Sequence, residues 1–394
     1  MRDAYIVTSV RTPGCRRAKG AFKDTRPDDL LAFILMAAME KNGKIETKEI
    51  DDIMIGCSFP EAEQGLNIGR MASQIAGFPV TVSGATVSRF CSSGLEAIAQ
   101  ASLRVMAGWS ELTIGGGVES MTFVPIPGYM PRPHPEYSRE HADLYASMGI
   151  TAENVANRYQ ISRADQDAFA YESQMKSAKA QKEGLFSEIV PTPASRYVRQ
   201  DNGTYKKETF IQATDDGVRA GTTLEGLAKL HPVFALGGSV TAGNSSQTTD
   251  GAAVSIIASD TAVKKYGLTP IAKLKMYTTI GCEPDEMGVG PRYAIPKLLH
   301  LAGLKTSDIG LWEINEAFAS QALYCIRELG LTDRMDSINI NGGAIALGHP
   351  LGCTGAKLCA TLLTNMQRKG VQYGVESMCI GGGMGAAALF ELCG

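Results

Sequence analysis

This 394-residue chain has no apolar run long enough to cross a bilayer: the longest, residues 30–39, is about half of the ~20 residues a spanning helix needs. An excess of either charge is also missing. Its 38 Lys+Arg against 41 Asp+Glu leave a formal charge of −3, so no global basic field recruits nucleic acid or an anionic membrane. Any anionic ligand must therefore be held by a local site. The nine cysteines are odd in number and scattered, with no Cys-x-x-Cys pair, which points away from a disulfide framework and a zinc site and toward free thiols in a reducing compartment. No residues have the spacing of a metal centre. The first ten residues alternate as a strand does and lack the basic, apolar and small-residue blocks of a signal peptide, so a cytoplasmic location of bacterial type is expected.

Glycine is abundant. Many of the 43 glycines cluster in short blocks where backbone must approach backbone or ligand closely. These blocks expose an internal repeat. Ile45-Glu46-Thr47-Lys48-Glu49-Ile50-Asp51-Asp52-Ile53-Met54-Ile55-Gly56 resembles Leu304-Lys305-Thr306-Ser307-Asp308-Ile309-Gly310-Leu311-Trp312-Glu313-Ile314-Asn315, and each follows a helical apolar pattern. Cys91-Ser92-Ser93-Gly94 opens a helix and leads to Ile114-Gly115-Gly116-Gly117, as Gly352-Cys353-Thr354-Gly355 leads to Ile380-Gly381-Gly382-Gly383. This alignment pairs Cys379 with Thr113. A Gly-Ala-Ala strand follows each block, at Gly251 and at Gly385.

The repeat predicts an α/β fold of two pseudo-repeated halves, each with a mixed sheet between helices. Residues 1–118 with 250–270 form the first half and residues 271–394 the second. Residues 119–249 form an inserted loop subdomain for substrate binding, with a proline-rich stretch at 125–135 and a charged helix over 163–183.

Several residues could carry chemistry. Cys91 stands between a β-like stretch at residues 80–82 and a helix start, an elbow whose helix N-terminus favours thiolate and whose free N–H groups suit an oxyanion. His349 sits between Gly348 and Pro350, a position for a base with little neighbouring bulk. Cys379 ends a strand and could exchange a proton with a substrate carbon, while Asn315-Glu316 at the end of another strand could orient a water or the histidine. Taken singly, each has an ordinary alternative: packed core cysteines, a structural histidine, a helix-capping asparagine. Gly381-x-Gly383-x-x-Ala386 imitates a dinucleotide fingerprint, but a short strand follows it where a helix is required.

Together, Cys91-Ser92-Ser93-Gly94, Asn315-Glu316-Ala317-Phe318, Asn341-Gly342-Gly343-Ala344, Gly348-His349-Pro350-Leu351-Gly352 and Cys379-Ile380-Gly381-Gly382-Gly383 resemble the thiolases in order and spacing. Arg11-Thr12-Pro13, Met148-Gly149-Ile150-Thr151-Ala152-Glu153-Asn154 and Thr241-Ala242-Gly243-Asn244-Ser245-Ser246 extend the resemblance over essentially the whole chain. It implies that Cys91 becomes acylated, that His349 activates it, and that Cys379 is the second acid/base. It also implies one oxyanion seat of His349 with a water held by Asn315, and another of the N–H groups of Cys91 and Gly381. By the same resemblance Arg219, Ser246, Met148, Phe234, Ala317 and Phe318 line the path of coenzyme A, a co-substrate, and no cofactor stays bound. A homodimer or homotetramer is implied, with acyl-CoA, CoA and other β-oxidation enzymes as partners.

Two departures stand out. Ser88 occupies a position where the family usually has Asn, and Ser147 one where short-chain biosynthetic members usually have His. The second, with the proline-rich loop and Met287-Gly288-Val289-Gly290-Pro291, favours degradative cleavage of 3-ketoacyl-CoA. The alternatives are a short-chain acetyl-CoA acetyltransferase, a decarboxylating ketosynthase, which would leave Cys379 without a role, and a non-catalytic acyl-CoA-binding protein.

Overall fold

A computed structural model describes residues 2–394. The first half runs β1 (Ala4–Arg11), β2 (Cys15–Arg16), α1 (Pro27–Asn42), β3 (Asp52–Gly56), α2 (Ile68–Ile75), β4 (Ser83–Val87), α3 (Ser93–Met106) and β5 (Leu112–Ser120). Then come α4 (Tyr137–Glu140), α5 (Met148–Arg158), α6 (Arg163–Lys182), the hairpin β6 (Thr192–Arg199) and β7 (Tyr205–Gln212), and α7 (Leu224–Ala228). The chain returns to the first half with β8 (Thr249–Ser259) and α8 (Asp260–Tyr266). The second half comprises β9 (Ala272–Gly281), α9 (Gly290–Ala302), β10 (Leu311–Ile314), α10 (Ala319–Glu328), α11 (Ala344–Leu347), α12 (Leu351–Lys369), β11 (Tyr373–Ile380) and β12 (Met384–Leu392).

The strands run β4-β3-β5-β8-β1 in one half and β10-β11-β12-β9 in the other, and only Tyr5↔Lys273 and Ile6↔Ala272 join β1 to β9. Each half is mixed: β3 is parallel to β4 and β5, and β10 to β11, while β8 and β12 run antiparallel to their neighbours. The isolated parallel bridge Trp312↔Ile338 stands where the second half would have a fifth strand. Between the half-sheets lie α3 and α12; α1 covers the outside of the first and α9 that of the second. Fifteen of the nineteen residues of α12 are buried, as a central helix requires. Glycine lets the two central helices touch: a Cβ at Gly94 would come within 2.8 Å of the Ala356 backbone nitrogen.

Three details differ from the sequence reading. The strand before Cys91 is Ser83–Val87, and residues 80–82 only turn into it. The two glycine blocks are not equivalent: glycines 115–117 lie inside β5, whereas residues 381–383 make the turn from β11 to β12, with φ of +81° at Gly382 and +83° at Gly383. Cys379, opposite Gly385, therefore corresponds to Glu119, opposite Gly251, and not to Thr113. The third difference is the titration of Cys91, described with the site. The charged helix of the insertion is α6, and the insertion is tied to β1 by the buried ion pairs of Arg11 with Asp215 (2.8 Å) and Glu188 (3.2 Å).

Glu313 on β10 is the register partner of Glu376 on β11, and both are buried. Neither oxygen of Glu376 has a hydrogen-bond partner among the described residues. Burial, then the nearby Glu316 and Glu188 charges, raise the Glu313 carboxyl to about 8; burial, then Glu313, hold Glu376 well above the usual carboxylate range. The folded protein thus keeps protons that the unfolded chain releases near pH 4.5, so this stabilisation is full below about pH 4.5 and is lost as pH rises through about 8. Glu376→Gln keeps the volume and removes the titration. The variant is expected to lose less stability between about pH 5 and 9 than the parent, by about 1–3 kcal/mol, in denaturant melts. Parallel pH profiles for the two proteins would remove this assignment.

Candidate active site

The chain leaves β4 and makes an elbow at residues 88–92. Phe90 takes φ +42°, in the left-handed region that a bulky residue rarely adopts, and a 3-10 turn over Phe90–Ser92 leads into α3. Hydrogen bonds hold this conformation. The Arg89 N–H donates to Ser93 Oγ (2.9 Å), which donates to the Phe90 carbonyl (2.6 Å), and Ser88 Oγ donates to the Ser58 carbonyl (3.1 Å). Ser88, the departure from the family pattern, thus braces the elbow against the loop after β3. That loop is tied to the second half: the buried Glu119 carboxylate accepts from the N–H groups of both Ser58 and Gly352, each at 2.8 Å.

The Cys91 thiol is buried and lies against Leu351, two residues beyond His349, and Met121. The backbone N–H groups of Gly381 and of Cys91 itself lie near the sulfur and favour thiolate, yet burial outweighs them and pushes the thiol up to about 12. The expectation of a thiolate at the helix start is therefore corrected: in the free protein Cys91 carries its proton. Burial and the Lys357 charge lower His349 to about 3, so the imidazole is neutral. Its Nδ1 faces Thr354 Oγ1 at 2.6 Å and its Nε2 faces Asn315 Nδ2 at 3.4 Å. An amide NH2 can only donate, which leaves Nε2 as the acceptor and Nδ1–H as the donor to Thr354. That is the tautomer a base at Nε2 requires. Lys357, at the second turn of α12, fixes the loop before His349 by donating to the carbonyls of Leu347 (3.0 Å) and Gly348 (2.8 Å).

Cys379 is the penultimate residue of β11, fully buried in an apolar cluster with Met287, Ala317, Phe318, Met148 and Phe234. Burial, then the neighbouring Cys91, raise its thiol well above the ordinary range. Asn315 follows β10 directly. Its N–H donates to the Ser377 carbonyl (2.9 Å), and its Oδ1 is buried with no hydrogen-bond partner among the described residues. The adjoining Glu316 turns away to structural work: it accepts from Ser173 Oγ, Asn339 Nδ2 and the Ile345 N–H, and so holds the loop leading to His349.

A cavity of about 470 Å³ opens onto Cys91 and Gly381, walled by Phe59, Phe90, Met148, Met287, Leu351 and, from the insertion, Pro127, Pro131, Pro133, Leu144 and Tyr145. Of the residues named for the coenzyme path, Met148 lines this cavity, and Phe234, Ala317 and Phe318 pack beside Cys379. The Ser246 N–H donates to the Ala317 carbonyl (2.9 Å), whereas Arg219 is exposed and outside the cavity wall. Sequence reasoning missed Thr354, Lys357 and Glu119. Thr354 and Lys357 lie within eight residues of His349, and helical spacing from it could have found them. Glu119 meets Gly352 only through the fold.

Among the described residues, no helix is long and apolar enough to cross a membrane, and no cluster of three or more His, Cys, Asp or Glu could hold a metal ion. Residues 4–261 match the family described as Thiolase, N-terminal domain, and residues 268–392 match Thiolase, C-terminal domain. The chain is 48% identical over 395 residues to the 3-ketoacyl-CoA thiolase of Bacillus subtilis (strain 168), covering 100% of both proteins. It is 45% identical over 396 residues to the human peroxisomal 3-ketoacyl-CoA thiolase, covering 100% of this chain and 91% of that one. Among solved structures, the Bacillus anthracis acetyl-CoA acetyltransferase superposes with a TM-score of 0.89 at 36% identity, covering 100% of this chain and 99% of the other.

Proposed function

The chain belongs to the thiolase family, and on that premise we propose that Cys91, His349, Cys379 and Asn315 carry out CoA-dependent cleavage of 3-ketoacyl-CoAs in fatty-acid β-oxidation. His349 Nε2 takes the Cys91 proton as the sulfur attacks C3 of the substrate. Transfer is coupled to attack, because charge then moves from a buried sulfur to an oxygen held by N–H donors. The N–H groups of Cys91 and Gly381, which lie near the sulfur in the free protein, are beside the atom that becomes bonded to it, and they take this oxyanion. Collapse breaks C2–C3, and the electron pair passes to the acetyl-CoA enolate, whose oxygen is held by His349, now protonated at Nε2, and a water on Asn315. Cys379 S–H protonates C2 and acetyl-CoA leaves. A CoA thiol then gives its proton to the Cys379 thiolate and attacks the Cys91 thioester, releasing an acyl-CoA two carbons shorter. The departing Cys91 sulfur recovers its proton from His349.

Every proton and electron pair is thus supplied by side chains, the 3-ketoacyl-CoA and the free CoA thiol, so CoA enters as co-substrate and no resident cofactor has a step to perform. Met148, Phe234, Ala317 and Phe318 offer the pantetheine arm an apolar passage toward Cys379, and exposed Arg219 suits the coenzyme's phosphates. The chemistry needs two free thiols, and all nine cysteines are unpaired, which suits a reducing compartment. A homodimer fits the open edge of β4, the last strand of its half-sheet, beside the exposed Leu66, Met71 and Ile75; a monomer by light scattering at micromolar concentration would remove that assignment.

The observation that carries the reading is the placement of Cys91 and Gly381 in the wall of an apolar cavity with Cys379 packed behind it. It is tested by CoA-dependent cleavage of 3-ketoacyl-CoAs of increasing length, with cleavage expected well beyond four carbons. Activity confined to acetoacetyl-CoA would make the protein an acetyl-CoA acetyltransferase, and none at any length would leave an acyl-CoA-binding protein. Gly381→Ala probes the oxyanion seat. A Cβ there would meet only the Phe90 ring, at 3.7 Å, an ordinary contact, so the fold accepts it while the methyl intrudes beside the reacting sulfur. We expect an unchanged melting temperature and about 10²-fold lower kcat/KM. Full activity in this variant would place the seat elsewhere.

A further inference from the structure

Cys379 has one polar partner that the mechanism above does not use. Its sulfur lies 3.5 Å from Oε1 of Gln321, the third residue of α10, and Gln321 is fully buried. The other end of that amide donates to the Asn315 carbonyl (3.4 Å). A backbone carbonyl can only accept, so the NH2 must face Asn315 and the oxygen must face Cys379. The side chain is also seated from behind: a Cβ at Gly288 would lie 2.6 Å from Gln321 Cβ, and the Gly288 carbonyl is held by Cys325 Sγ at 3.6 Å.

We propose that Gln321 is the positioning residue of the acid/base thiol: its Oε1 holds the Cys379 S–H and its Nε2 ties that arrangement to the backbone of Asn315. The inference rests on the acid/base reading of Cys379. An oxygen that can only accept has opposite effects on the two forms of the thiol. Before C2–C3 cleavage it anchors the sulfur as S–H, the form that must protonate C2. After the proton is given up, the same lone pairs face a thiolate with no hydrogen to share, which makes that thiolate a stronger base toward the incoming CoA thiol. One side chain thus favours the acid before the first half-reaction and the base before the second. It also couples the Cys379 sulfur to the residue that carries the enolate seat.

Gln321→Met removes both polar ends at similar length, and Gln321→Glu keeps the shape while allowing the Asn315 bond only when the carboxyl is protonated. Four quantities separate positioning from general support: kcat and KM for cleavage across pH, solvent deuterium entering the methyl group of acetyl-CoA, and iodoacetamide alkylation of Cys91. For Gln321→Met we expect kcat and deuterium entry to fall about 10–100-fold, KM to stay within about twofold, and Cys91 to be alkylated at the parental rate. The alkaline limb of single-turnover cleavage is expected to move to lower pH, since the thiol loses the acceptor that favours its protonated form. Gln321→Glu is expected to recover activity below neutral pH and lose it as pH rises. Parental kcat and limb in Gln321→Met, or equal slowing of Cys91 alkylation, would overturn the inference. If that variant fails to fold, a pH-independent defect in Gln321→Glu does the same. Deuterium entry surviving in Cys379→Ala would instead overturn the underlying reading of Cys379.

Discussion

Cys91→Ala is expected to lower CoA-dependent cleavage by about 10⁴-fold or more while leaving the fold intact. The reason for the size is chemical: without the sulfur there is no acyl-enzyme, and N–H donors and binding alone retain only a small part of the rate. No neighbouring thiol can replace it, because among the described residues no other cysteine lines the cavity. The structural cost is small. The elbow is held by Ser88, Arg89 and Ser93, not by the thiol, so only one buried sulfur is lost, about 1 kcal/mol of packing. Thermal melting beside steady-state kinetics over several chain lengths checks both halves of the expectation. Parental turnover would end the covalent mechanism, and a collapsed melt would show that the thiol supports the elbow after all.

The parts of this site that the sequence displays are those in which the chemistry and its setting are contiguous. Cys91 at a strand-to-helix elbow, His349 between glycine and proline, and Asn315 directly after an apolar strand could be picked out because the local backbone gives each its place. The repeated halves were legible for the same reason, since helix-turn-strand recurs with the same residues at the same spacing. What could not be read depends on distant segments meeting. Glu119 joins Gly352 across 233 positions, and Gln174 reaches the N–H of Arg219 across 45. The titration of Cys91 shows the limit most clearly. Proximity to a helix start is a local fact and argues for thiolate, but desolvation is set by what packs over the sulfur, here Met121 and Leu351, and it dominates. The misaligned glycine blocks have a similar origin. Identical triplets took different roles because only the second has to reverse the chain between two antiparallel strands, with two glycines at positive φ.

Cys379→Ala is expected to separate the two kinds of leaving group. When Cys91 attacks acetyl-CoA, the group expelled is a thiolate, which is stable in water and needs no acid; when Cys91 attacks a 3-ketoacyl-CoA, the group expelled is a carbon, which needs a proton as its bond breaks. The variant should therefore still acetylate on Cys91 from acetyl-CoA, seen by intact mass and slowed only as much as the reverse attack of CoA on the acetyl-enzyme, yet cleave 3-ketoacyl-CoAs about 10³-fold more slowly. The acetyl-enzyme should also persist in the presence of CoA, because the base that deprotonates the second thiol is gone and only the fraction of CoA already ionised can react. Raising the pH should then restore part of the second step but not the first, since hydroxide in bulk water can ionise CoA but cannot protonate a carbon inside a buried cluster. Unchanged cleavage would remove Cys379 from the chemistry. Failure to acetylate would move it to the activation of Cys91, a role that the proximity of the two thiols permits and that the His349–Asn315–Thr354 alignment makes unnecessary.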